Sequence, residues 1–348
     1  GSRLMEALTG DYRVAGLDIV PPKKQIPGTT YTKCDMTKSS SVGAALKQVA
    51  DEFGNSFASV VHLAAYYDFS GEPSPMYDEL TVQGTRRLLQ KLQDFDVDQF
   101  VFSSTLLAME PSEDQPVNAF SPTDAEWDYP KSKLEAEAVI QEERQAIHTV
   151  VLRLAGVYDE DGHSLPIAQQ ISRIYEKQLE SYFFPGDASH GQAFIHLDDL
   201  VACFVQVIRH RTKLASHELF VIGEEDVMSY EDMQDNIGML VHGKEWPSIR
   251  IPKVAAKAGA WVKGKMAGGK EDAPFIKPWM IDLADQNYPV SIHRAKNFLD
   301  WAPKYTLRGT LAEIVDRLHR DPKRWYEING LPVPEMVEEQ ATSGASKS

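Results

Sequence analysis

The sequence predicts an α/β fold: a doubly wound parallel sheet with a smaller C-terminal lobe. Three observations predict it. Short apolar runs alternate with amphipathic runs over the first two-thirds of the chain. Runs such as FASVVHLA at 57–64 are apolar almost throughout, as strands buried on both faces of a parallel sheet are. Strand–helix alternation of this kind closes only through right-handed crossovers, which put helices on both faces of one sheet.

In order along the chain, 1–8 reads as the opening turn of a helix and 12–20 (YRVAGLDIV) as a strand. A further strand is expected just ahead of Asp35, then a helix at 40–52. Strands follow at 58–64, 99–104, 149–154 and 218–222, each short, rich in Val, Ile, Leu or Phe, and bounded by polar residues. Between them lie helical stretches at 76–94, 129–145 and 197–210. After about 155 the pattern loosens, with helices expected near 165–180 and 230–241 between Pro- and Gly-bearing loops. Residues 332–348 end in small polar residues and are expected to form a flexible tail.

Composition narrows the function. The 348 residues are 43% hydrophobic and 25% charged, the balance of a globular protein with a sizeable core. A formal net charge of −15 argues against a nucleic-acid partner, whose phosphates would be repelled. Cys34 and Cys203 make no disulfide framework and show no metal-ligand spacing, so no metal and a reduced, cytoplasmic setting are expected. No apolar run approaches the roughly 18 residues of a membrane span. The basic run 251–270 reads as a surface helix rather than a membrane face, since its glycines weaken it.

The residues that carry chemistry cluster at strand ends. Asp18 ends its strand where a carboxylate can hydrogen-bond a ribose; Asp35 stands where one can meet an adenine amino group, or where it caps the next helix. Ala64 and Ala65 form a small-residue turn after a strand, which lets a ligand approach the backbone. The strongest signal is WDYPKSKLEAE, in which Tyr129 and Lys133 are four apart on one helix face. A cation beside a phenol favours the phenolate, which suits Tyr129 to proton transfer near neutral pH. Upstream, FVFSST ends a buried strand in Ser103, Ser104 and Thr105, hydroxyls able to hold a substrate oxygen.

Taken together, GLDIV, CDMT, VVHLAA, TVQGTRRLL, FVFSST, YPKSKLEAE, VLRLAGVYDEDG, FIHLDDLVACF and RAKNFLDWAPKYTLRGTL stand in an order that resembles the extended short-chain dehydrogenase/reductase family, in its NAD-dependent epimerase/dehydratase branch. The resemblance runs over nearly the whole chain. It implies a Rossmann-type fold, with 1–155 as the dinucleotide-binding domain and 156–331 mainly a substrate lobe into which the last strands are interleaved. It also implies NAD rather than NADP, because Asp18 would repel a 2′-phosphate. By position, Thr105, Tyr129 and Lys133 match the catalytic set, Asp18 the ribose-binding acid, and Asp35 and Met36 the adenine contacts. Leu63, Ala64 and Ala65 match the stretch beside the cofactor, and Ala155 the nicotinamide end. Tyr66, Tyr67 and Phe69 would wall the substrate pocket, or simply pack the core. A homodimer through the 76–94 and 129–145 helices is a further implication.

Departures qualify this. A first strand and Gly-rich turn should precede the first helix. Instead Gly1 stands where the last glycine of that fingerprint would be, or Gly1-Ser2 is a remnant of cloning. Thr81 stands where the family usually has Asn, Gly156 where nucleotide-sugar enzymes use Asn, and Gln192 where they carry a basic residue. The changes at Gly156 and Gln192 favour hydride transfer at a hydroxyl or carbonyl carbon of a smaller, less charged substrate. A nucleotide-sugar epimerase or dehydratase, and a non-catalytic NAD-binding scaffold or sensor, are the alternatives.

Overall fold

The structure, a computed structural model, describes residues 1–68, 71–266 and 278–339, with side chains for all of these except 260–266, 278 and 279. Four parallel strands form its main sheet, in the order Val60–His62, Gln99–Thr105, His148–Leu154 and His217–Ile222. A second parallel pair joins Val14–Asp18 to Thr29–Lys33. Among the described residues no strand pairing links this pair to the main sheet. The Gln99–Thr105 strand is buried at every position, its polar ends included, around an apolar centre of Phe100, Val101 and Phe102.

Helices cover both faces. On one side Ser39–Phe53, Gln83–Leu92 and Asp128–Glu143 bury Val42, Leu46, Leu89, Leu92 and Ile140 against Phe100 and Phe102. On the other, Ser2–Leu8 and Leu197–Arg209 bury Leu4, Leu8, Cys203, Phe204 and Val207 against Val101, Val150 and Phe220. A third apolar cluster joins helices Leu165–Tyr175, Tyr230–His242, Leu307–Arg320 and Pro322–Ile328. This C-terminal part meets the sheet region through two three-residue strands, Gly156–Tyr158 and Phe194–His196.

Three expectations change. The 76–94 helix begins as a wide π-type turn, Tyr77–Val82, before becoming the α-helix Gln83–Leu92. The 165–180 helix stops at Tyr175, because Lys177 adopts the left-handed region (φ +57°) and a separate tight turn, Leu179–Tyr182, follows. The tail is not loose from 332: Val337 is buried in the cluster around Trp325 and Tyr326, while 340–348 lie outside the described residues. In the basic run, Lys253 and Lys257 pair with Asp285 and Asp282 of the lobe.

Candidate active site

The buried strand Gln99–Thr105 delivers Ser103, Ser104 and Thr105 to the carboxyl end of the sheet, and the Asp128–Glu143 helix starts beside them. Its 3.6-residue turn sets Tyr129, Lys133 and Glu137 on one face, toward that strand end. The Tyr129 phenol lies beside Thr105, whose side chain acts to lower the phenol pKa. The Lys133 ammonium is buried; its Nζ donates to the Ser103 carbonyl at 2.7 Å and stands 5.9 Å from the Tyr129 ring centre and 4.8 Å from that of Phe102. Ser104 donates to Glu137, which is held from the far side by Arg153 (Nη2–Oε2 2.7 Å).

The electrostatics correct one expectation. Burial pushes the Tyr129 phenol up to about 12, and the Thr105 side chain only partly opposes that. Lys133 does not lower it, since its ammonium is aimed at the Ser103 carbonyl. Burial also pulls Lys133 down to about 8, against the pull of Glu137. Desolvation outweighs the opposing influence at both groups, that of the Thr105 hydroxyl at Tyr129 and of the Glu137 carboxylate at Lys133.

The other predicted residues distribute along the same sheet edge. Asp18 is exposed at the end of its strand and accepts from the Val20 N–H at 3.1 Å. Asp35 follows the neighbouring strand. It does not cap the next helix; its carboxylate accepts from the Thr37 N–H (3.0 Å) and hydroxyl and pairs with Lys38 at 2.8 Å, which holds it down at about 2. The Met36 carbonyl accepts from Arg87, and a Cβ on Gly84 would touch Met36 at 3.5 Å. Leu63, Ala64 and Ala65 leave the Val60–His62 strand, with Ala64 exposed. Thr81 is fully buried in the π-type turn, and its hydroxyl oxygen accepts from the Tyr66 N–H at 3.0 Å. Ala155 is buried, its N–H on the Ile222 carbonyl. Gly1 is exposed ahead of the Ser2–Leu8 helix. Tyr66 packs edge-on to Tyr77, and Tyr67 edge-on to Tyr129 with ring centres 4.5 Å apart. Phe69 lies outside the described residues.

Several participants were not singled out from the sequence. Glu137 is four residues past Lys133, so the Y-x-x-x-K spacing continues to it; nothing local points to its partner Arg153, sixteen positions on. Trp127 packs 5.5 Å from Tyr129 and 6.4 Å from Tyr67, completing an aromatic wall. The Gly156 departure has a packing cause: a Cβ there would lie 2.8 Å from the Phe194 ring. Gln192 forms a parallel bridge with Tyr288. His196 caps the following helix, accepting from the Asp198 N–H at 3.2 Å, whereas Asp199 turns away to accept the Lys304 and Tyr305 N–H groups, both at 2.8 Å. Asp159, Asp161 and His163 also converge, although no metal-binding group was expected.

Comparison with known proteins fits this arrangement. The model of the NAD dependent epimerase/dehydratase family matches residues 1–223. A curated relative from Escherichia coli O157:H7, an N-acetyl-alpha-D-glucosaminyl-diphospho-ditrans,octacis-undecaprenol 4-epimerase, is 29% identical over 41% of this chain and 40% of its own. A putative UDP-glucose 4-epimerase of Methanocaldococcus jannaschii is 26% identical over 45% and 54%. The chain thus spans about half the length of the curated relatives it matches. Among solved structures, dTDP-glucose 4,6-dehydratase of Bacillus anthracis in complex with NAD superposes with a TM-score of 0.67 at 18% identity, covering 94% of this chain and 96% of that one. UDP-glucose 4-epimerase of Thermotoga maritima with UDP-glucose gives 0.66 at 18%, covering 93% and 96%. These likenesses establish a Rossmann-type fold. With the family model covering well over half its length, the chain belongs to the NAD dependent epimerase/dehydratase family.

Proposed function

We propose that the protein is an NAD-dependent oxidoreductase of the extended short-chain type, acting at the hydroxyl or carbonyl carbon of a small molecule. The observation that carries this is the convergence of Thr105, Tyr129 and Lys133 at one strand end. The site residues suit the cofactor. An ammonium has three donors, and buried Lys133 uses one, on Ser103; the other two fit a ribose diol. The exposed Asp18 carboxylate fits the adenosine ribose and disfavours a 2′-phosphate. Bound NAD would supply the acceptor or donor of a hydride. Thr105 orients the substrate oxygen, Tyr129 Oη gives or takes its proton, and Lys133 holds the ribose. Tyr67 and Trp127 exclude water from that exchange.

Tyr129→Phe tests the assignment. Turnover, followed by nicotinamide absorbance, should fall by about 10²-fold or more, while NADH affinity by fluorescence titration stays unchanged. Equal turnover in the variant removes Tyr129 from the chemistry; NADH binding without turnover of any alcohol or carbonyl in the wild type favours the scaffold reading. The names of the curated relatives favour a second reading, a nucleotide-sugar epimerase. Thermal stabilisation by UDP-glucose but not glucose would support it. The same proposal includes a cytoplasmic location, in keeping with two buried free cysteines, and a homodimer, which light scattering tests.

A further inference from the structure

Away from the candidate active site, the turn after the Gly156–Tyr158 strand gathers a mixed set of ligand groups. The sequence there is Asp159-Glu160-Asp161-Gly162-His163. Asp159 and Gly162 exchange backbone hydrogen bonds (3.2 and 3.0 Å), with Gly162 at φ +101° and His163 at φ +35°. The chain therefore doubles back, and one side-chain ligand atom from each of Asp159, Asp161 and His163 lies within 4.8 Å of the others. Asp159 is buried, and His163 Nδ1 stands 2.9 and 2.8 Å from its two oxygens. Arg317 takes one oxygen of Asp161 at 2.8 Å, which leaves the other free to coordinate.

A second, independent observation points the same way. Asn329, 9% exposed, arrives from the end of the Pro322–Ile328 helix. Its Nδ2 donates to the Asp161 and Trp325 carbonyls, both at 2.9 Å, which fixes which end of the amide is oxygen. That oxygen is buried with no hydrogen-bond partner, and it faces the turn, 2.8 Å from where a Cβ on Gly162 would stand. A buried carbonyl-type oxygen normally has a partner. A hydrogen-bond donor would satisfy it, but none is present among the described residues; a cation held by the neighbouring carboxylates would satisfy it too.

We propose that Asp159, Asp161, His163 and the Asn329 amide oxygen bind a first-row divalent cation. One imidazole nitrogen among three oxygens suits Mn²⁺ or Zn²⁺ better than Ca²⁺, which takes six to eight oxygens. The cation would take the place of the contacts that His163 Nδ1 now makes with the two Asp159 oxygens. Its place ties the strand end at Tyr158 to the C-terminal helices that carry Arg317 and Asn329, a structural role separate from hydride transfer.

Calorimetric titration of chelator-treated full chain with MnCl₂ and with ZnCl₂ tests this without reference to any enzymatic activity. One site per chain is expected for at least one of the two metals, with a rise in Tm and with CaCl₂ binding more weakly. Asp161→Asn and His163→Gln should each weaken binding by about tenfold or more. Both side chains are at least partly exposed, and circular dichroism checks that the variants fold. The absence of any saturable heat with either metal, or equal affinity in wild type and both folded variants, would overturn the site. If neither variant folds, Asn329→Asp decides: the added charge should tighten binding, and unchanged affinity counts against the proposal.

Discussion

Lys133 shows how one residue can be costly to the fold and useful to the site. A buried ammonium with a single hydrogen bond is poorly compensated, even with the Phe102 ring 4.8 Å away. Lys133→Met, of similar length, should therefore leave Tm unchanged or raise it in a calorimetric scan, while turnover falls by about 10²-fold or more. A drop in both would mean that the lysine mainly holds the strand end together. Since burial brings Lys133 to about 8, its cation is present below that pH and lost above it. Turnover should accordingly decline on the alkaline side of about 8, and Lys133→Arg, which stays charged, should move that limb upward. Gly156 carries a different constraint. Gly156→Asn drives a Cβ into the buried Phe194 ring and should cost about 1–3 kcal/mol in urea unfolding. Adding Phe194→Ala, which opens that space, should make the second change far less than additive. Purely additive losses would show that the ring yields freely.

At the scale of elements, the strongly patterned segments were legible and the short or irregular ones were not. The strands at 99–105 and 217–222 and the helices at 39–53 and 197–209 fall within a residue or so of the sequence reading, because apolar runs and a 3.6-residue stripe decide them. The π-type turn at Tyr77–Val82 was hidden, since its composition reads as ordinary helix and only tertiary contacts widen it. Strands such as Gly156–Tyr158 and Phe194–His196 are three residues long, too short to display a period. The Y-x-x-x-K pair was legible for the same reason as the helix that bears it. Its electrostatics were not, because the acidity of Tyr129 depends on how deeply the phenol is desolvated, which spacing does not encode. The π-type turn also gives Thr81 its work: from the buried side it holds the backbone N–H of Tyr66, at the head of the aromatic wall. Thr81→Val removes that acceptor at nearly constant volume. It should lower stability by about 1–3 kcal/mol and raise KM more than it lowers kcat, because the wall shifts while Tyr129 stays in place. An unchanged KM would detach the turn from substrate binding.

For the whole molecule, the decisive contacts are those by which the C-terminal part grips the sheet, and they run through buried carboxyl groups. Glu224, at the exit of the His217–Ile222 strand, is almost fully buried. It accepts from the Tyr158 hydroxyl and from the Leu307 N–H, both at 2.7 Å, joining the strand end to the start of the Leu307–Arg320 helix. Asp199 does the same for the Lys304 and Tyr305 N–H groups a little earlier in the chain. Burial, with Asp199 nearby, pushes Glu224 up to about 7, although its hydrogen bonds pull the other way. The folded chain thus keeps a proton on Glu224 over a range where an unfolded glutamate, near 4.5, has released it. The stabilisation this gives is complete below about 4.5 and is lost as pH rises toward 7, at a slope of up to about 1.4 kcal/mol per pH unit. Asp35 has the opposite sign: held down at about 2, it lends stability above its ordinary value of 3.8 that disappears as pH falls below it. The two windows do not overlap, so urea unfolding across a pH series separates them. Glu224→Gln should flatten the decline between about pH 5 and 7 relative to wild type and leave the acid limb unchanged. Parallel curves for the two proteins across that window would place the pH-sensitive grip between the sheet and the C-terminal helices at some other residue.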